Sequence, residues 1–173
     1  RDGVRSSRGQ VALSSSLTIS HFGGRRKEEG GATMGKIMML IWIVLAAAVV
    51  VVGFIRLAPV DPFDWNTQPE LSEDKEFRGG VFKVVRTGPE GLHDFDRIAS
   101  AAPRTKLLTG SVEEGMATYV TRTKVIGFPD YTTARQDGDL LKVYARLRFG
   151  RSDLGANKSR IDGWLSLMPR PQD

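Results

Sequence analysis

The sequence predicts an α+β domain: an antiparallel β-sheet of about five strands with two helices packed on one face, preceded by one transmembrane helix. Three observations lead to this prediction. Residues 37–55 contain no charged side chain. Later segments rich in β-branched residues are accompanied by two segments with helical periodicity. The dipeptide Asp137-Gly138, between two such strands, is a strong hairpin signal and favours antiparallel pairing.

The apolar segment, residues 37–55, is bracketed by Lys36 and Arg56. At about 1.5 Å of rise per residue it spans roughly 30 Å, the thickness of the hydrocarbon core. A buried core helix or a cleaved signal peptide are the alternatives. A cleavage site would be followed by polar chain, whereas residues 49–52 continue the apolar run. We therefore predict an uncleaved signal-anchor helix over residues 34–56, with residues 37–55 in the lipid bilayer.

Residues 1–33 are rich in Ser, Gly and Arg without periodicity, which predicts a disordered leader. We hypothesise that the natural protein starts at Met34 and that the leader is not part of it. Basic residues are more numerous before the apolar segment than after it: Arg25, Arg26, Lys27 and Lys36 precede it, and Arg56 follows it. This asymmetry predicts a bacterial inner-membrane protein with a cytoplasmic N-terminus and a periplasmic C-terminal domain.

A charged linker is predicted between the membrane segment and the domain. Residues 57–78 contain Pro59, Pro62 and Pro69, which prevent the helix from continuing. We expect this linker to lift the soluble domain, residues 79–173, off the membrane.

The first two elements of the domain are a strand and a helix. Residues 80–86, GVFKVVR, have the β-branched content of a strand. Residues 88–102 have apolar positions at helical spacing, and Pro103 ends that helix. These apolar positions are Leu92, Phe95, Ile98 and Ala99.

Four further strands and a closing helix complete the domain. The strands are predicted over residues 105–111, 116–128, 131–136 and 140–149. Pro129-Asp130 is predicted to turn the chain between the second and third of these. The closing helix is expected after Ser152-Asp153. Its apolar stripe consists of Leu154, Ile161, Trp164, Leu165 and Met168.

The net charge of +5 does not lie on residues 57–173, the predicted linker and the domain together. Residues 57–173 hold as many acidic as basic side chains, so the excess falls in and before the apolar segment. A duplex-binding domain carries its own basic excess, and we therefore expect no nucleic-acid partner.

The domain has few of the residue types that bind metals or cofactors. The absence of cysteine excludes thiol catalysis, disulfides and cysteine-bound zinc. His93 is the single histidine of the domain, and it is not spaced with carboxylates as a metal ligand would be. There is no nucleophile elbow and no phosphate-binding glycine loop. We expect no metal site and no cofactor.

Strand alternation over residues 140–149 separates an apolar face from a basic one. Lys142, Tyr144, Arg146 and Arg148 share the basic face, which Arg122 and Lys124 of a neighbouring strand can join. Such a face could bind an anionic lipid head group, an acidic glycan or a phosphate. The alternative is a solvated face whose arginines pair with nearby aspartates.

The segment GRSDLGANKSR, residues 150–160, follows this strand. Ser152 or Asp153 can accept hydrogen bonds from the first free N–H groups of the closing helix, so a capping corner explains the segment without a ligand. The full set of candidate anion- or partner-binding residues is Arg146, Arg148, Arg151, Asp153, Asn157, Arg160, Asp130 and Tyr144.

These residues give the chain a resemblance to the domain of unknown function 1499 family, over residues 80–168 and most specifically over 146–161. The family pattern resembles R-S-x-S-R-x-G-x-S-D-x-G-x-N-x-x-R-I/V. It is matched by Arg146, Arg148, Gly150, Ser152, Asp153, Gly155, Asn157, Arg160 and Ile161. Ala145, Leu147 and Tyr131 depart from it, and the family's N-terminal Cys-Pro segment is missing. The resemblance implies an envelope-associated domain and no particular activity.

Three functions remain open at this point. The first is a single-pass, non-enzymatic membrane protein whose periplasmic domain binds a protein partner or an anionic envelope ligand through the Arg/Asp/Asn corner. The second is a hydrolase- or transferase-like enzyme that uses Asp130, Tyr144 and the arginines as an acid–base and anion-stabilising cluster. The third is an accessory subunit of a membrane complex.

Overall fold

A computed structural model describes residues 28–169 of the chain. Four helices and six strands follow in the order α1 (Glu28–Leu57), α2 (Pro62–Trp65), β1 (Lys75–Phe77), β2 (Gly80–Arg86), α3 (Gly91–Ala101), β3 (Thr105–Ser111), β4 (Met116–Arg122), β5 (Pro129–Asp137), β6 (Leu140–Leu147) and α4 (Ala156–Ser166).

Helix α1 contains the apolar segment without interruption. Residues Thr33–Leu57 are long and apolar enough to cross a bilayer, a property that a membrane anchor shares with a signal sequence. Of the predicted leader, residues 28–33 continue this helix, and residues 1–27 lie outside the described part of the chain.

The six strands form one antiparallel sheet in the order β1-β2-β6-β5-β4-β3. This confirms the predicted α+β class. The additional strand β1 is a three-residue edge strand inside the predicted linker, and all its residues are exposed. Its sequence, Lys-Glu-Phe, has no buried face, so no hydrophobic alternation could have revealed it.

The predicted turn at Pro129-Asp130 is wrong. Strand β4 ends at Arg122, residues 123–128 form the turn, and Pro129 is the first residue of β5. The turn is closed by the main-chain bond from Thr123 N to Phe128 O, 2.9 Å. Proline is tolerated at the first position of a strand, where it costs no interior ladder bond.

Helices α3 and α4 cover one face of the sheet, and the core lies between them and the strands. Val143 and Ala145 of β6 point into it, as alternation predicts, together with Phe95 of α3 and Trp164 of α4. Leu154 does not belong to the stripe, contrary to prediction. Helix α4 begins two residues later, at Ala156, and leaves Leu154 exposed.

The register of the strands gives the sheet two ends. Because Arg122 pairs with Pro129, Asp130 with Leu147 and Arg146 with Gly80, four connections meet at one end. We call it the proximal end, since the last turn of α1 contacts it. It consists of residues 78–79, 102–104, 123–128 and 148–155.

Candidate functional site

The face of the sheet opposite the helices is crossed by residues 58–70, which we call the strap. Arg146 of β6 holds it by donating hydrogen bonds to the carbonyl oxygens of Trp65, at 2.9 Å, and Thr67, at 3.1 Å. Its guanidinium also lies 4.9 Å from the Trp65 ring centre and 4.7 Å from that of Tyr144. Arg146 is therefore occupied by the protein's own chain.

Other groups on this face fasten the same segment. Arg148 donates to the carbonyl oxygen of Pro59 at 2.6 Å. Thr133 donates to that of Trp65 at 2.9 Å, and the Trp65 ring stacks on Tyr131 with centroids 3.9 Å apart. The strap thus covers the basic sheet face that the sequence analysis considered as a surface for an anionic ligand.

A groove of about 570 Å³ remains beside the strap. Trp65, Phe77 and Tyr144 supply its aromatic wall, while Arg146 and the exposed Arg151 line it at the proximal end. With Arg146 committed to the strap, Arg151 is the predicted site residue on this face that keeps an exposed charge.

A polar corner forms on the other face, between β5 and the start of α4. Asp130 and Arg160 lie 3.5 Å apart, with side chains 10% and 17% exposed respectively. Arg160 also donates to the side-chain oxygen of the buried Asn157. Asp153 accepts hydrogen bonds from the N–H groups of Gly155, at 3.1 Å, and Asn157, at 3.0 Å. Asp153 thus accepts a hydrogen bond from the first turn of α4, as the sequence predicts, although the N-cap position itself is Gly155.

The ionisation of the corner follows from its burial. Burial raises the pKa of Asp130 above its ordinary value, an effect that the charge of Arg160 opposes without cancelling. Burial would also raise the pKa of Asp153, but the N–H groups of Asn157 and Gly155 outweigh it, and that pKa is lowered. Asp153 is therefore a firmly ionised cap, and Asp130 is the easier of the two carboxylates to protonate.

Three buried polar atoms on this face of the sheet have no hydrogen-bond partner within residues 28–169. They are Thr132 Oγ1, Asn157 Nδ2 and Arg160 Nε. Buried polar atoms in folded proteins are nearly always paired with protein groups or with ordered water.

A cleft of about 270 Å³ adjoins the corner. Its charged lining residues are Asp130, Arg160, Arg104 and Arg122. Its other polar wall residues are Thr105, Thr121 and Thr123. Asp130 is already paired with Arg160, so Arg104 leaves the cleft with an excess of positive charge. The guanidinium of Arg122 does not add to it, because Arg122 follows Thr121 in β4 and its side chain alternates to the strap face, where it donates to the carbonyl oxygen of Gly127 at 3.2 Å.

The sequence-predicted residues therefore fall into two groups on opposite faces. Tyr144, Arg146 and Arg148 lie on the strap face, and Arg151 lines the groove there. The corner holds the rest: Asp130, Asp153, Asn157 and Arg160. Because Asp130 and Tyr144 are on opposite faces, they do not share an acid–base site.

Sequence reasoning missed Arg104, which precedes β3. A single arginine after Pro103 in a short connection carries no pattern, and the antiparallel pairing of β3 with β4 alone brings it beside Arg122, whose carbonyl oxygen it contacts at 3.2 Å. Among residues 28–169 there is no group of three or more His, Asp or Glu side chains arranged to hold a metal ion.

Comparison with known proteins agrees with the resemblance noted in the sequence. A family model described as protein of unknown function (DUF1499) matches residues 57–168. The match includes the strap, the whole sheet and α4. Neither the comparison with curated proteins nor that with solved structures gives a match.

Proposed function

The chain belongs to the DUF1499 family of proteins of unknown function, and we propose that it is a membrane-anchored binding protein whose cleft accepts a small anionic group, such as a phosphate or a carboxylate. The observation that carries this proposal is the wall of the cleft. Arg104 and Arg160 line one cavity whose acidic residue, Asp130, is already paired with Arg160.

The residue types of the cleft suit an oxyanion. Guanidinium groups bind carboxylates and phosphates through paired, charge-assisted hydrogen bonds. Thr105 and Thr121, whose hydroxyls lie 2.9 Å apart, add neutral groups that can donate or accept. A volume of about 270 Å³ is close to the lower limit for ligand pockets. It suits a small group or the head of a larger molecule.

The backbone at Arg104 supports the same site. Its φ of 59° lies in the left-handed region, which within residues 28–169 only one other non-glycine residue shares. Such a conformation is unfavourable for a residue with a Cβ and concentrates at functional sites. Folding alone would be better served by glycine at this position.

The proposed location is a bacterial inner membrane, with α1 as an uncleaved anchor and the domain in the periplasm. The support is the continuous helix over the apolar segment and the excess of Lys and Arg before it. A binding domain that is anchored in the membrane stays close to ligands of the cell envelope and does not have to reach them by diffusion from solution.

The orientation can be tested with a single cysteine, because the 173-residue sequence contains none. Asp139→Cys, in the exposed β5–β6 turn, should react with a membrane-impermeant maleimide in intact spheroplasts. Lys36→Cys, ahead of the apolar segment, should react only after lysis. Labelling of the second variant and not of the first in intact spheroplasts would reverse the proposed topology.

Anion binding can be tested with inorganic phosphate. The full chain in neutral detergent should show a saturable rise in Tm when phosphate replaces chloride at constant ionic strength, because a ligand bound only by the folded state stabilises it. Arg104→Ala should abolish most of this rise. The matched control is Arg97→Ala, an exposed arginine on α3 away from the cleft.

The control must keep the full response to phosphate. An unsaturable rise of equal size in both variants would show a general salt effect and would contradict the proposal. So would an unchanged, saturable rise in Arg104→Ala.

A further inference from the structure

Charge is distributed unevenly along the length of the sheet. Every connection at the proximal end carries basic side chains: Arg78, Arg104, Lys124, Arg148 and Arg151. The connections at the opposite end carry acidic ones: Glu90, Glu113, Glu114 and Asp139, of which Asp139 is paired with Arg86. Of the acids near the proximal end, Asp130 is paired with Arg160, Asp153 caps α4, and Asp64 lines the groove. The connections at the proximal end are therefore the more basic ones, and the last turn of α1 contacts this end.

The last turn of α1 fixes where the proximal end lies. Arg56, the first charged residue after the apolar segment, donates hydrogen bonds to the carbonyl oxygens of Ile126, at 2.9 Å, and Val125, at 3.3 Å. These two residues form the tip of the β4–β5 turn. A helix that spans a bilayer leaves it near its first flanking charge, so this turn lies at the depth of the lipid head groups.

The proximal end also exposes apolar side chains. Val125 is 82% exposed, Ile126 38% and Leu154 95%. Leu154 has a φ of 51°, so a large apolar residue is kept in solvent by a backbone conformation that glycine would adopt more easily. The two segments that carry these residues lie side by side, and the ring centroids of Phe128 and Phe149 are 6.4 Å apart.

We propose that the proximal rim, formed by Lys124, Val125, Ile126, Arg151 and Leu154, rests on the surface of an anionic bilayer. The apolar tips enter the head-group region, as they do in proteins that bind at the membrane interface. Lys124 and Arg151 contact lipid phosphates, each contributing attraction of the kind that polybasic segments provide. The inference rests on the anchoring of α1 and extends it: the domain stands on the membrane instead of hanging free below a linker.

The bilayer is preferred to a protein partner for a geometric reason. The tip of the β4–β5 turn is bonded to the residue that ends the apolar segment, so lipid head groups surround it whenever α1 is inserted. A protein partner would have to displace those lipids, and the basic charge of the rim already matches them.

The inference can be tested on the full chain in nanodiscs containing anionic lipid and lipid with a nitroxide on its head group. Single cysteines at Val125→Cys and Leu154→Cys would carry an environment-sensitive dye. The matched control is Leu167→Cys, an apolar residue 68% exposed beyond the C-terminal end of α4, away from the rim. We expect the nitroxide to quench the two rim dyes several-fold more strongly than the control dye.

Quenching of all three dyes to the same extent would overturn the inference. Protection of the Val125 dye from aqueous iodide without nitroxide quenching would assign the rim to a protein surface and overturn it as well. Lys124→Glu combined with Arg151→Glu should reduce rim quenching in anionic nanodiscs and leave it unchanged in neutral ones. An equal reduction of quenching in anionic and in neutral nanodiscs would contradict the proposed role of lipid charge.

Failure of the anchor is separable from failure of the rim. If alkaline carbonate strips the wild-type chain from vesicles, the proposed anchoring is wrong and this inference falls with it. If the chain resists extraction and the rim dyes behave like the control, the rim inference alone is wrong. Phosphate binding in detergent is independent of both results.

Discussion

Replacing Arg160 with methionine should lower the free energy of unfolding by about 3–5 kcal/mol, the usual cost of removing one partner from a buried ion pair. Asp130 would remain buried without the guanidinium that now lies 3.5 Å away. Asn157 would lose its side-chain donor at the same time. Urea unfolding of the full chain in detergent, followed by near-ultraviolet circular dichroism, measures the change.

The loss in Arg160→Met should depend on pH in a defined direction. Without the guanidinium, burial raises the pKa of Asp130 further above its unfolded value. A carboxyl whose folded pKa is raised contributes most to stability below its unfolded pKa and loses that contribution as the pH rises through the folded pKa. The deficit should therefore be largest at neutral pH and should shrink on acidification.

A double variant supplies the control. Asp130→Asn combined with Arg160→Met removes both charges, and its stability should recover most of the deficit at neutral pH, because buried pairs are often replaceable together. Its stability should also lack the pH dependence of the single variant. A double variant as unstable as Arg160→Met, or a deficit independent of pH, would show that packing of the Arg160 stem and not charge dominates.

Much of the fold could be predicted because it depends on local patterns. Alternation along β6 separates Val143 and Ala145 from Tyr144 and Arg146, and the structure keeps this division. Asp137-Gly138 closes the hairpin as expected. Leu154 escaped prediction because its apolar character fits the stripe of α4 by spacing, while its left-handed backbone places it outside the helix.

The candidate site was only partly predictable for a topological reason. Tyr144 and Asp130 belong to adjacent strands, and which face each occupies depends on register. The predicted turn at Pro129-Asp130 starts six residues after the observed turn, residues 123–128. The prediction therefore started β5 too late and did not determine its register with β6. Arg104 enters the cleft only through the pairing of β3 with β4, which no local pattern specifies.

The net charge also did not predict how the charges of the domain are arranged in space. Equal numbers of acidic and basic residues make residues 57–173 neutral as a whole, and this balance is the reason that we expect no nucleic-acid partner. Neutrality says nothing about arrangement in space, because the strand connections alternate between two ends of the sheet. Only the topology shows that the basic connections share one end.

The largest departure from expectation is the strap, and Arg146→Ala should expose its importance. The substitution removes two charge-assisted hydrogen bonds and the contacts of the guanidinium with Trp65 and Tyr144. We expect a loss of about 2–4 kcal/mol, from the strength of such hydrogen bonds and cation–π contacts. Limited proteolysis should at the same time cut residues 58–70 at least tenfold faster, since the strap would detach before the domain unfolds.

Arg135→Ala is the matched control, because Arg135 lies on the same face and pairs with Glu70 of the same strap. Both side chains are exposed, so this ion pair should contribute less than about 1 kcal/mol and its loss should leave proteolysis unchanged. Arg146→Lys keeps the charge without the planar fork and should fall between the two. If Arg146→Ala behaves like Arg135→Ala, the strap is held by Trp65 stacking and the threonine hydroxyls, and Arg146 is free for another role.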